Sequence, residues 1–132
     1  GNLGTILRTA DWYGMNKLLC SPDCAEFYNP KVIQASMGSF TRVRPYYTQL
    51  ESYLSEQVAV YGAFMKGEDV HQVEFSKRGI ILIGNEAHGI SPSLLPFISK
   101  KVGIPKYGGA ESLNASVAAA VICDNLLRSI SN

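Results

Sequence analysis

The sequence predicts an α/β domain built on a mostly parallel sheet with helices on both faces. Short apolar runs alternate with stretches of helical periodicity along the whole chain, the pattern of strands connected through helices. Two of the runs, V-A-V-Y-G-A-F-M (58–65) and G-I-I-L-I-G (79–84), carry too few polar positions to face water on either side. Near-continuous apolar strands suit a parallel sheet covered on both faces. The chain has 132 residues, 46% of them apolar and 17% charged, enough for one domain with its own core.

The elements follow in order. Asn2 can cap a helix whose apolar positions Leu3, Ile6, Leu7 and Ala10 keep the i, i+3, i+4, i+7 spacing, and Gly14 can end it. Arg8 falls off the apolar stripe, where a solvated arginine is the plain reading. K-L-L-C (17–20) is a short buried strand, 21–30 a loop, and 31–37 a short helix ended by Gly38. T-R-V-R-P-Y (41–46) alternates like a strand, with Arg42 and Arg44 on one face beside Tyr46 and Tyr47. Such a group suits phosphate and base contact, although a solvated strand edge is its commoner use. A helix over 50–57 leads into the 58–65 strand, and an exposed connection over 66–77 carries His71, where a lone exposed histidine usually does nothing. After the 79–84 strand and a loop over 85–91, Ser91-Pro92 begins a short helix through Ile98, with proline at the tolerated first position. A strand at 102–104 is stopped by Pro105, which lacks a backbone donor. Gly108 and Gly109, the polar cluster Glu111, Ser112 and Asn114, and an alanine-rich helix over 113–130 complete the chain. Strand, glycine turn and polar helix start leave backbone N–H groups able to bind a ligand. An ordinary connection capped by Ser112 fits the same pattern.

Composition narrows the function. No apolar run approaches the roughly 20 residues needed to span a bilayer, and no signal peptide is visible. Cys20, Cys24 and Cys123 are odd in number and form no C-x-x-C pair, which argues against a disulfide framework or a zinc site and suits a reducing compartment. No G-x-G-x-x-G follows a strand and no G-x-x-x-x-G-K-[ST] occurs, disfavouring phosphate cradles of those types. A net charge of +1 is low for a domain that grips nucleic acid alone, so any such affinity would need another domain or a second subunit.

Three stretches, in order, resemble the motifs of the SpoU/TrmH family of RNA 2′-O-ribose methyltransferases, part of the knotted SPOUT superfamily. Asn2, Gly4, Arg8 and Ala10 resemble the first motif, N-x-G-x-x-x-R-x-A. The strand 80–84 with Glu86, Gly89 and Ile90 resembles the second. Ile104, Pro105, Gly108, Glu111, Ser112, Leu113, Asn114, Ser116, Val117 and Ala118 resemble the third. A-S-M-G-S-F (35–40) is similar to a further family segment, taken as structural.

The resemblance implies a C-terminal trefoil knot, formed where the third-motif segment threads a preceding loop. Topology rules alone would give an unknotted sheet. Gly108, Gly109 and the small residues Ala110, Ala115 and 118–120 are then expected to let chain pass close to chain. It also implies S-adenosylmethionine as cofactor, an rRNA or tRNA substrate, a homodimer, a cytoplasmic location, and neither metal nor membrane. In the family a hydrophobic strand precedes the first motif and many members carry an N-terminal RNA-binding domain. Residues 1–132 are therefore expected to form one catalytic domain lacking that first strand and any such N-terminal domain. Trp12, Tyr13, Leu126, Leu127 and Ile130 are expected to supply surplus apolar surface for the dimer.

Residue by residue, the match implies catalytic roles for Arg8, Asn2, Glu86, Ser112 and Asn114. It implies cofactor contacts at Gly84, Ile104 and Leu113, with Gly89 in the same set; Ala63, at the end of its strand, is a further candidate. A ribose hydroxyl is a poor nucleophile at neutral pH, so positioning and early polarisation must dominate. An arginine stays protonated and is a poor general base. Arg8 is thus expected to hold a phosphate bidentately and stabilise incipient alkoxide. Three other readings remain: a cofactor- or RNA-binding module without turnover, an ordinary nucleotide-binding α/β domain, and a base-methylating knotted enzyme.

Overall fold

The computed structural model describes residues 2–15, 17–20, 42–47, 49–54, 59–84 and 89–131, with backbone alone at 2, 17–20, 44–47 and 53. The expected helix at 31–37, the 35–40 segment and Glu86 lie outside the described residues. The chain divides into two units, Gly1–Tyr53 and Leu54–Asn132.

In the first unit, helix α1 spans Asn2–Trp12. The predicted stripe faces inward: Leu7 and Ala10 are buried against Val43, with Leu3 packed alongside. The helix ends as its sequence requires. Gly14 has φ +76°, Met15 N–H donates to Ala10 C=O at 2.8 Å and Gly14 N–H to Asp11 C=O at 3.1 Å. This paired closure is a Schellman motif, which needs a residue free to adopt left-handed φ. Strands β1 (Lys17–Cys20) and β2 (Arg44–Tyr47) pair in parallel, Lys17 opposite Arg44 and Cys20 opposite Tyr47. β2 starts later than expected, because Val43 turns into the core and Arg42 turns to α1. The Arg42 guanidinium grips Asp11 with both forks, Nε at 2.9 Å from each carboxylate oxygen and Nη2 at 2.7 Å from Oδ2. The expectation of Arg42 and Arg44 as a pair on one strand face is therefore corrected. Helix α2 covers Leu50–Leu54.

The second unit is a three-stranded sheet in the order β4–β3–β5, where β3 is Ala59–Asp69, β4 Gly79–Leu82 and β5 Lys100–Gly103. Both pairings are parallel, in agreement with the predicted sheet. β3 runs on through a polar stretch expected to be connection. Its first half pairs Tyr61 to Ala63 with Lys100 to Val102; after a register shift, Glu68 and Asp69 pair with Val102 and Gly103. Val102 thus partners two residues five positions apart. Gly67 permits this: a Cβ there would lie 2.7 Å from Val102 C and 2.8 Å from Gly103 N. Asp69 ends the strand, accepting His71 N–H at 2.9 Å and meeting its Nδ1 at 2.7 Å. Those contacts, the backbone N–H first, hold the Asp69 carboxyl below its usual range.

The predicted helix after Pro92 is 3-10, spanning Pro92–Phe97. Pro96 has no N–H to return to residue 92, so an α-turn cannot close; Leu94 N–H instead reaches Ser91 C=O at 2.9 Å. Helix α3 spans Ala115–Ser131 and buries Ala119, Ile122, Cys123 and Leu126, a single i, i+3, i+4, i+7 face. Burying Ile122 and Leu126 contributes about 1.5–3 kcal/mol each. Leu126, expected as spare dimer surface, is core at 8% exposure, whereas Trp12 is 84% exposed.

Candidate functional site

Parallel strands carry their C-terminal ends to one edge of a sheet, where connections turn away and backbone groups are left unpaired. In the second unit, Leu82, Gly62 and Lys101 form one row across β4–β3–β5. Gly84 follows β4 by two residues and Ile104 follows β5 directly; Ala63, expected at the end of its strand, lies in the middle of β3 opposite Val102, because β3 runs on to Asp69. Two of the five cofactor candidates therefore lie just past the C-terminal ends of their strands, with Ala63 one residue beyond Gly62 of that row. Gly89 joins them: a Cβ on Gly84 would lie 2.4 Å from Gly89 C and Ile90 N, so the two backbone segments are in direct contact. The Ile90 side chain also reaches towards Gly62, 3.3 Å from where its Cβ would be. Ala63, Gly84 and Ile104 are half-buried, and Gly89 is exposed with φ +69°. The fifth candidate, Leu113, is 52% exposed on the connection to α3.

That connection is open. Every residue from 106 to 114 is exposed, and a Cβ at Gly108 or Gly109 would meet nothing within 4 Å. The expectation that these two glycines serve a close chain crossing is corrected: close backbone approach occurs at Gly67 and Gly84 instead.

Asn114, not Ser112, caps α3. Its Oδ1 accepts Ser116 N–H at 2.9 Å and the Ser116 hydroxyl as well, while its carbonyl takes Ala118 N–H at 2.9 Å. With Oδ1 used in the cap, the Nδ2 amide is the Asn114 atom able to donate outward. Ser112 is exposed two residues earlier. Arg8 lies on the exposed flank of α1, as its spacing predicts, and Asn2 forms the first turn of that helix. The structure thus brings together Gly84, Gly89, Ala63 and Ile104 within one unit and holds Ser112, Leu113 and Asn114 on one open connection.

Elsewhere in that unit a cavity of about 460 Å³ is lined by 70–74 with Asn125, Arg128 and Ser129. Its polar groups are largely engaged. Ser129 Oγ accepts Phe75 N–H at 3.1 Å, Asn125 Nδ2 donates to Val121 C=O at 2.9 Å, and Arg128 donates to Asn125. None of the predicted site residues lines it. Among the described residues no cluster of His, Cys, Asp or Glu has the makings of a metal site, and no helix is long and apolar enough to cross a membrane.

Comparison with known proteins defines the class. The fold matches a TrmH-family RNA methyltransferase structure from Porphyromonas gingivalis with a TM-score of 0.89 at 37% identity, covering 97% of this chain and 55% of that one. It matches the SpoU methyltransferase AviRb of Streptomyces viridochromogenes, solved with AdoMet, with a TM-score of 0.87 at 29% identity over 99% of this chain and 56% of that one. The SpoU rRNA Methylase family profile matches residues 1–124, and the chain belongs to that family. A Bacillus subtilis relative, 23S rRNA (guanosine(2553)-2′-O)-methyltransferase, is 34% identical over 96% of this chain and 53% of its own length. The chain spans about half the length of the curated relatives it matches.

Proposed function

We propose that this chain is the catalytic part of an S-adenosylmethionine-dependent enzyme that methylates a ribose 2′-hydroxyl in rRNA or tRNA. The observation that carries the reading is the contact of the Gly84 and Gly89 backbones just past β4, with Ile104 just past β5, in a chain of this family. The fit is physical. Glycine backbone and half-buried small or aliphatic side chains present N–H, C=O and flat walls to an adenosine, without bulk to exclude it.

When bound, the cofactor supplies an electrophilic methyl group. Gly84, Gly89, Ile104 and Leu113 would hold it, with Ala63 completing the wall. Arg8 would clasp the phosphate beside the target ribose and stabilise negative charge on the 2′-oxygen. The Asn114 amide would donate through Nδ2, its Oδ1 being fixed by the helix cap. Glu86 would orient the hydroxyl, and Asn2 and Ser112 would add hydrogen bonds to the substrate.

The chain pairs, on this reading, with a second copy; the exposed Trp12 is in keeping with such a contact. The C-terminal trefoil knot implied by the resemblance and a cytoplasmic location are part of the same reading.

Calorimetry with S-adenosylmethionine on the full-length gene product should give stoichiometric binding, and deletion of the gene should remove one ribose methylation from the RNA. Cofactor binding with every ribose methylation retained would instead favour a binding module. Arg8→Lys should keep RNA binding within about threefold while turnover falls about 100-fold, because a point charge cannot replace the fork. Near-normal turnover in that variant would exclude the bidentate role.

A further inference from the structure

Three lysines flank the start of the open connection. The Lys100 ammonium lies 2.8 Å from Glu68, and Lys101 sits 4.9 Å from the centroid of Phe64. Lys106 differs: it is exposed, and among the described residues it forms no ion pair. The next residue is Tyr107, 93% exposed, the most open of the large apolar side chains among the described residues. A tyrosine ring so fully in water buries nothing and contributes nothing to the core. Pro105 precedes the pair and stiffens the backbone there; Gly108 and Gly109 follow with empty space where a side chain would be. The ring therefore has room beside it for a flat partner.

We propose that Lys106 and Tyr107 form a stacking platform for an unpaired RNA base next to the methylated nucleotide, with Lys106 on its phosphate. The inference rests on the ribose methyltransferase reading and extends it to how that site holds its substrate. An aromatic face beside a cation is the side-chain chemistry that takes up single-stranded nucleic acid, because every base offers a π-face and every linkage a negative charge. Position agrees. Tyr107 is five residues before Ser112 and seven before Asn114, so an extended chain keeps it within about 17 Å and 25 Å of them. That span includes a neighbouring nucleotide.

The test uses the full-length protein and a short single-stranded oligoribonucleotide carrying one 2-aminopurine, together with the methylation assay on its RNA. Tyr107→Ala should raise the KM for RNA about 10-fold, with kcat changed by less than about twofold, and abolish the quench of 2-aminopurine fluorescence on binding. Tyr107→Phe, which keeps the ring, should restore both. Lys106→Gln should weaken RNA binding and lower the salt slope of log K by about 1. Cofactor affinity and sedimentation should stay those of the wild type in every variant. The proposal is overturned if Tyr107→Ala leaves KM and quench unchanged, if it weakens cofactor binding instead, or if it dissociates a dimer. A wild type that transfers no methyl group yet still quenches through Tyr107 would sink the enzymatic reading and leave the stacking platform standing.

Discussion

The two ends of the Leu54–Asn132 unit are built on opposite rules. Where the sheet begins, contacts are doubled. Val60 N–H donates to Ser99 Oγ at 2.9 Å and Ser99 N–H returns to Val60 C=O at 2.8 Å, pinning β3 to the approach of β5. The Tyr61 hydroxyl takes Ser76 N–H at 2.6 Å, and its ring tilts against Phe75 at 4.7 Å between centroids. Phe75 N–H in turn reaches Ser129 on α3 at 3.1 Å. Where the sheet ends, nine consecutive residues are exposed and the chief order comes from one asparagine cap. Motif residues crowd the second end; the first holds ordinary valine, tyrosine and phenylalanine. Rigid packing at one end lets loosely packed polar groups be held in place at the other.

If that division is right, substitutions at the open end should change binding and turnover, and those at the pinned end should change stability. The clearest steric effect is expected at Gly84, where any Cβ collides with backbone that cannot rotate away. Gly84→Ala should cut S-adenosylmethionine affinity at least about 10-fold, roughly 1.4 kcal/mol or more, by calorimetry. Unchanged affinity would remove Gly84 from the cofactor wall. Asn114→Asp is sharper. Aspartate keeps an acceptor for the Ser116 N–H and suits a helix N-terminus, but it cannot donate. Turnover should fall about 100-fold while Tm holds within about 2 °C; loss of both together would make the residue a cap and nothing more.

At the pinned end, Tyr61→Phe strips the Ser76 N–H of its partner and should cost about 1–3 kcal/mol in urea unfolding, with cofactor affinity untouched. Cys123 gives the smallest and most specific signal. Burial pushes its thiol from 9.0 up to about 11. The neutral thiol is the form favoured by folding, so its contribution is complete below pH 9 and is lost as pH rises towards 11. Unfolding free energy should drop by about 1 kcal/mol between pH 8 and 10, and Cys123→Ala should abolish that part of the slope.

Much of this was readable before any coordinates. The α1 stripe, its glycine terminator, the exposed flank of Arg8 and the parallel sheet all follow from spacing, because helix and strand periods leave a plain mark on sequence. The α3 cap did not. Ser112 and Asn114 are both good caps, and the irregular backbone between Pro105 and the helix leaves nothing in the spacing to choose between them. The far half of β3 was equally hidden: Lys66 to Asp69 look like a loop because they are polar, yet Glu68 and Asp69 pair with the end of β5 because Gly67 lets the backbones touch. Arg42 was misread for a related reason, since its partner Asp11 is thirty-one residues away and no local pattern announces it. Side chains whose role depends on a distant segment, Tyr61 among them, stay silent in a one-dimensional reading.

The strand order β4–β3–β5 has a consequence for how the protein is made. Its middle strand emerges from the ribosome before either neighbour, and the last of its hydrogen-bonding partners lies 34 positions after Asp69 (69 to 103). At ordinary translation speed that is a wait of roughly 2–7 s during which the flank that β5 will cover is bare. Nascent chains halted before residue 100 should therefore be the sticky species, captured by chaperones or lost to aggregates, while chains only a little longer escape.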